Sequence, residues 1–242
     1  MKILVIQKKF MGDVLVASSL FRLLRQKFPN AELHFFLDEK CSAIVQNNPY
    51  IDQLLFFEDH LSATIRKVKN EQYDAVIDLY SKIGTALISF FSGAGITSGY
   101  YKPYLFPFYK FSVKRHKSPQ SQMALCLENR VQLLKPLGIP MTEVRPQIYL
   151  TDEEIQEAEH LFKRFGLRKD QKTVMISTFG STPEKTFPYM KQIIDRISEI
   201  SDCQIICNYL PNQKPSFDNL YESLSERSKE KIIKDFDTKN LR

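Results

Sequence analysis

Apolar residues in this chain follow two alternating rhythms. Short, nearly unbroken apolar runs occupy 1–7, 32–37, 53–57, 74–79, 172–177 and 204–207. Runs of this length and composition predict strands buried on both faces. Between them the spacing becomes helical. Over 13–28 the positions Val14, Leu15, Ala17, Leu20, Leu23 and Leu24 form one stripe, which Pro29-Asn30 ends. A short helix is expected at 40–47, a polar surface helix at 60–71 and an apolar one at 82–92; further helices follow at 121–136, 152–165 and 187–200. Thr151-Asp-Glu-Glu154 reads as a capping box at the start of the helix at 152–165.

Strands alternating with helices predict an α/β fold with doubly wound parallel sheets and right-handed crossovers. Pro140 to Pro146 reads as a linker, dividing the chain into domains 1–145 and 146–242. Residues 97–118 break the rhythm with an aromatic and basic segment, and the tail from Gln213 is polar and partly helical in expectation.

Charge changes this picture in one place. No Asp or Glu occurs between Leu79 and Leu127, while Lys82, Lys102, Lys110, Lys114, Arg115 and Lys117 do. Those residues account for the whole net charge of +6, because the remaining basic and acidic residues balance. Such an uneven distribution points to a local anionic partner. No run reaches the roughly 18 apolar residues that span a bilayer. The longest candidate, Ile83 to Ile96, is interrupted by Gly84, Gly93 and Gly95. The opening apolar run is too short for a signal peptide, so a cytoplasmic location is expected. Cys41, Cys126, Cys203 and Cys207 form no CxxC pair and are expected to be buried free thiols. The histidines have no metal-ligand spacing, so no metal is expected.

Candidate chemistry starts in the loop after the first strand. Gly12 is expected to allow a tight turn there, and Asp13 puts a carboxylate at a helix start, where the C-terminal end of a parallel strand opens into a cleft. With one glycine the loop is not a dinucleotide fingerprint. Asp13 reads either as a helix cap or as a general base. A second candidate is the strand-to-helix stretch from Ser177 to Pro188. Its hydroxyls at Ser177, Thr178, Ser181 and Thr182, a flexible Gly180 and the cation of Lys185 suit a diphosphate, or simply make a polar loop. Within 100–117, aromatics interleave with Lys102, Lys110, Lys114, Arg115 and Lys117. This pattern fits a lipid-headgroup surface, single-stranded nucleic acid, or core aromatics in an extended loop. Asp78, ending the fourth strand, reads as a substrate contact or a structural cap.

Taken together, these residues resemble glycosyltransferase family 9, the heptosyltransferases of lipopolysaccharide core. The matching pieces are Lys2-Ile-Leu-Val-Ile with Gly12-Asp13-Val-Leu, Asn48-Pro-Tyr-Ile-Asp52, Tyr73-Asp-Ala-Val-Ile-Asp-Leu79, Leu134 to Pro140, and Lys185-Thr-Phe-Pro against the family's Lys-x-Trp-Pro. The resemblance implies a GT-B fold of two Rossmann-like domains, the first binding acceptor and the second donor. It implies an enzyme without cofactor that carries out inverting, metal-independent transfer of a heptose or related sugar. The donor would be a nucleotide sugar, ADP-heptose, and the acceptor the lipopolysaccharide core or lipid A at the cytoplasmic face of the inner membrane, with no nucleic acid as partner.

In that scheme Asp13 is the base and Lys185 stabilises the departing diphosphate. Ser177, Thr178, Gly180, Ser181 and Thr182 hold the donor. Gly12, Asp78, Lys102, Lys110, Lys114, Arg115 and Lys117 meet acceptor or membrane. Asp13 and Lys185 are expected to face each other across an interdomain gap. Two departures stand out: Ser18-Ser19 replaces a usual proline, and the family's pattern continues past residue 242 through a nucleotide-holding segment. The second domain is therefore expected to be incomplete, with two strands where a mononucleotide-binding half has three. The alternative is a non-catalytic acceptor- or membrane-surface-binding module of the same fold.

Overall fold

The computed structural model describes residues 1–180 and 182–233. The chain forms two units, Met1–Leu150 and Thr151–Arg242.

In the first unit six strands, β1 (Lys2–Ile6), β2 (Glu32–Leu37), β3 (Gln53–Phe56), β4 (Ala75–Asp78), β5 (Ile96–Tyr100) and β6 (Phe111–Val113), make one sheet in the order β3-β2-β1-β4-β5-β6. Every neighbouring pair is parallel. This is the strand order of the doubly wound dinucleotide-binding fold, in which the order reverses between the first and fourth strands. Alternation along β1 feeds two cores. Ile3 and Val5 pack on one face with Leu20, Leu24 and Val131, while Leu4 and Ile6 pack on the other with Val68 and Ile88. The helices α1 (Met11–Ser18), α2 (Leu20–Lys27), α3 (Leu61–Asn70), α4 (Ile83–Phe91) and α5 (Leu125–Val131) supply those partners.

The helix expected over 13–28 is interrupted at Ser19. The Ser18 and Ser19 hydroxyls donate back to the Leu15 and Val16 carbonyls, competing with the helix's own bonds. The rhythm expected to fail over 97–118 continues through β5 and β6. β5 lacks an apolar run because Thr97-Ser98-Gly99 fills its middle, yet all three are buried and Thr97 accepts the Lys110 amide at 2.9 Å. At 121–136 the α-helix is shorter. The Glu128 carboxylate draws in the Gln120 and Ser121 amides and holds 120–123 outside it. After Val131 the chain tightens into a 3-10 run, Gln132–Leu137, that ends on Gly138 at φ 70°.

In the second unit α6 (Asp152–Arg164) opens with the expected capping box: Thr151 Oγ1 accepts the Glu154 amide and Glu154 Oε2 accepts the Thr151 amide. Strands β7 (Lys172–Ser177), β8 (Cys203–Asn208) and β9 (Ile232–Ile233) pair in parallel in that order. Helix α7 (Met190–Ile200) links the first two, and α8 (Lys214–Ser223) with α9 (Glu226–Lys231) links the last two. A third strand therefore completes the βαβαβ half for which the sequence showed only two. Among the described residues it holds only Ile232 and Ile233, too little to stand out as a pattern. Ile194, Cys203, Ile205, Phe217 and Ile232 form this unit's core.

Among the described residues no helix is long and apolar enough to cross a membrane.

Candidate functional site

The chain leaves β1 and β4 at the point where the strand order reverses, and a cavity of about 320 Å³ opens there. Gln7, Phe10 and Asp13 line it from the β1 side and Leu79 and Tyr80 from the β4 side; Tyr100, Arg115, Asn129 and Arg130 complete its walls.

The loop after β1 is shaped by its own bonds. The Gln7 amide donates to the Phe36 carbonyl at 3.0 Å, and the Gln7 side chain holds the Lys9 carbonyl at 3.2 Å. The turn falls at Phe10, whose φ of 72° is rare for an aromatic residue, and not at Gly12 as expected. Gly12 lies in the first turn of α1 without positive φ, and a Cβ there would meet nothing within 4 Å. Its lack of a side chain leaves open space in front of the helix start.

Asp13 follows, with about half its side chain accessible. Its place in the first turn suits the helix dipole, but its hydrogen bond reaches outward: Asp13 Oδ1 accepts from Arg130 Nη2 at 2.5 Å. Arg130 is almost buried, and its second terminal nitrogen donates to the Cys126 carbonyl at 2.9 Å. Its Nε is buried without a hydrogen-bond partner. Arg115 lies with its guanidinium carbon 3.8 Å from the centre of the Tyr100 ring, a cation-π contact. The buried Tyr100 hydroxyl donates to the Asn129 carbonyl at 2.8 Å, and burial pushes its pKa up to about 12 against the opposing pull of Arg115 and Arg130. Asn129 also clamps the backbone of His116, accepting its amide and donating to its carbonyl. The residue next to Arg115 is thereby fixed to α5. The result is one carboxylate oriented by a guanidinium, beside a second cation, in a concave space. In chemical terms, a carboxylate so placed is able to take a proton from a hydroxyl, and the two guanidinium groups suit an anionic neighbour of that hydroxyl.

Asp78 is not a contact surface. It is fully buried; its Oδ1 accepts the Tyr80 and Ser81 amides and its Oδ2 accepts the Tyr109 hydroxyl at 2.6 Å. Burial raises its pKa, against the pull of those donors. It is the internal cap that fastens Tyr109 to the end of β4. Lys102 donates to the Ser81 carbonyl at 2.6 Å, and desolvation with its Lys82 and Arg115 neighbours lowers its pKa. Lys110 donates to the Ala94 and Gly95 carbonyls. Lys114 sits 5.3 Å from the Tyr101 ring centre, and Lys117 is exposed. Cys41, Cys203 and Cys207 are buried, but Cys126 is exposed and lines the cavity, contrary to expectation. It follows an irregular turn that keeps it out of the core.

In the second unit the stretch after β7 is tightly folded. Thr178 is fully buried and its hydroxyl donates to the Asn208 carbonyl at 3.0 Å, which removes it from any ligand surface. Gly180 is required by fit rather than flexibility: a Cβ there would collide with the Lys185 backbone. The Gly180 amide donates to Thr186 Oγ1, and its carbonyl accepts from Gln213. Ser177 and Thr182 are exposed, and the Thr182 hydroxyl holds the Glu184 carboxylate below its usual range. Lys185 is exposed on the 3-10 turn Pro183–Lys185. Ser181 lies outside the described residues.

Sequence reading missed Tyr100, Asn129 and Arg130. The signal for the last two was faint: the polar trio Glu128-Asn129-Arg130 interrupts a stretch from Leu125 to Leu137 whose other polar residues are Gln132 and Lys135.

The model of glycosyltransferase family 9 (heptosyltransferase) matches residues 61–216. Lipopolysaccharide heptosyltransferase 1 of Campylobacter coli is 22% identical over 211 residues, covering 79% of this chain and 58% of that protein. A putative glycosyltransferase of Haemophilus influenzae is 20% identical over 224 residues, 88% of this chain and 64% of its own. The chain thus spans about three fifths of the length of these curated relatives. Among solved structures, a family 9 glycosyl transferase from Veillonella parvula superposes with a TM-score of 0.74 at 20% identity, over 93% of this chain and 66% of the other. At that identity the likeness establishes the fold, two Rossmann-like units of the GT-B type.

Proposed function

Because the chain belongs to glycosyltransferase family 9, the heptosyltransferase family, we propose that it transfers a heptose or related sugar from a nucleotide-sugar donor to the lipopolysaccharide core or lipid A. The observation that carries this reading is Asp13, half-exposed in a cavity at the reversal of strand order and flanked by Arg115 and Arg130.

The proposed reaction is a single displacement with inversion, in the metal-independent form that the family resemblance implies. Asp13 takes the proton of the acceptor hydroxyl as its oxygen attacks the anomeric carbon. The bond from that carbon to the donor's diphosphate breaks, and the diphosphate leaves with the electron pair. Arg130 holds the carboxylate in place, and with Arg115 it suits an acceptor carrying its own negative charge. In the second unit, Lys185 with the exposed Ser177 and Thr182 is proposed to meet the diphosphate, ADP-heptose being the donor that best suits the reading. The proposed location is the cytoplasmic face of the inner membrane.

The test is heptose transfer by wild type and Asp13→Asn. General-base catalysis contributes roughly 10²- to 10⁴-fold, so the variant is expected to lose turnover by that factor with fold and donor affinity retained. Unchanged turnover refutes the base assignment. A wild-type chain that binds acceptor, shows no heat on titration with ADP-heptose and transfers nothing would instead be a non-catalytic acceptor-binding module.

A further inference from the structure

Helix α4 is turned inside out. From 85 to 92 its buried residues are Thr85, Ala86, Ile88, Ser89 and Ser92, so three of five carry hydroxyls. Those hydroxyls are satisfied within the helix itself: Thr85 donates to the Lys82 carbonyl, Ser89 to Thr85 and Ser92 to Ser89. Ile88 apart, the larger apolar side chains point the other way. Ile83, Phe90 and Phe91 are 52%, 53% and 49% exposed and, with the part-buried Leu87, recur at helical spacing as one outward stripe. A surface helix normally does the reverse. The stripe continues on the neighbouring segment: Phe108 meets Phe90 edge-on with ring centres 5.8 Å apart, and Tyr104 and Phe106 beyond it stand exposed. An apolar surface of this kind marks an interface.

At the start of α4, Lys8, Lys9 and Lys82 outnumber Glu58 and Asp59 in the pocket they share with Gly84 and Ile88, and the segment's own charges select the partner. Every ionised side chain from Leu79 to Leu127 is basic. Aromatic side chains beside lysines are the composition of a face that enters the headgroup layer, its rings at the acyl boundary and its cations on phosphates. A symmetric contact with a second copy of the chain would set two such cationic rims against each other. We propose that the outward face of α4, with the 101–111 segment, docks the first unit on an anionic lipid surface. This deepens the acceptor side of the function proposed above and rests on that reading only for what lies at the surface.

The experiment is cosedimentation of the full chain with vesicles of phosphatidylcholine alone or mixed with phosphatidylglycerol. The chain is expected to sediment with the mixed vesicles, to do so less at high salt, and to stay in solution with the neutral ones. The double variant Phe90→Ser/Phe91→Ser, at exposed positions, is expected to weaken binding on the order of tenfold with thermal unfolding unchanged. Lys117→Glu, which leaves the aromatics alone, should also weaken it. Asp13→Asn should bind vesicles as wild type does, so failure of the transferase reading leaves this result standing. The proposal is overturned if wild type ignores the mixed vesicles, if both vesicle types bind equally, or if the Phe double variant binds like wild type. It is also overturned if light scattering shows a dimer that this variant dissolves.

Discussion

The Gly99→Ala substitution tests how the aromatic segment is fastened to the sheet. Gly99 is in β5, and the Tyr109 ring lies flat against it: a Cβ added there would fall inside the contact distance of three ring atoms. Tyr109 is 6% exposed and donates its hydroxyl to the buried Asp78 carboxylate. A methyl group at 99 therefore forces the ring outward. Two losses follow: roughly 1.5–3 kcal/mol for exposing a buried aromatic side chain and roughly 1.5–3 kcal/mol for a hydrogen bond to a charged group. Allowing for partial relaxation, about 3–5 kcal/mol is expected. Urea unfolding followed by far-ultraviolet circular dichroism measures it, with Gly12→Ala as the control. At Gly12 the backbone is helical and the space open, so alanine should stabilise by up to about 1 kcal/mol. A cost below about 1 kcal/mol at Gly99, or equal costs at both glycines, refutes the reasoning.

Two further outcomes are expected. Hydrogen bonds from the Ser121 hydroxyl and from the Gln120 and Ser121 amides hold Glu128 below its ordinary value of 4.5. A depressed carboxylate contributes stability that is fully present above the ordinary value and is lost as the pH falls through the native one. Acid should therefore free the Gln120 and Ser121 amides, seen as a loss of hydrogen-exchange protection relative to the intrinsic rate as the pH falls below the ordinary value of 4.5, and Glu128→Gln should abolish that loss; protection that ignores pH in wild type contradicts the assignment. Lys185→Ala should weaken both ADP-heptose affinity and turnover without loss of stability, measured by calorimetry and steady-state kinetics; unchanged values remove Lys185 from the donor site.

What was legible in the sequence follows from where each signal resides. β1, β2 and β4 announce themselves because both their faces are buried and their apolar runs are continuous. β5 is equally buried, but its Thr97 and Gly99 are chosen by particular partners, Lys110 and the Tyr109 ring, and partners do not show in a local pattern. Asp13 could be found from its place after the first strand. Arg130 could not, since 117 positions separate it from the carboxylate it holds. Glycine is the residue that tolerates positive φ, so the sequence points to Gly12 for the turn; the structure puts that conformation on Phe10, where only tertiary context sustains it.

Lys102 and Lys110 illustrate a distinction between charge and valence. Lys102 commits one of its three ammonium hydrogens to the Ser81 carbonyl and Lys110 commits two, to Ala94 and Gly95, so neither side chain swings out to grip a passing phosphate without loosening the loop it ties down. Their electrostatic pull on anions acts at a distance all the same. These two lysines draw anions in without discriminating among them. Recognition is left to side chains not tied to the loop backbone, Arg115 foremost, so salt should slow arrival far more than it alters which molecule is kept.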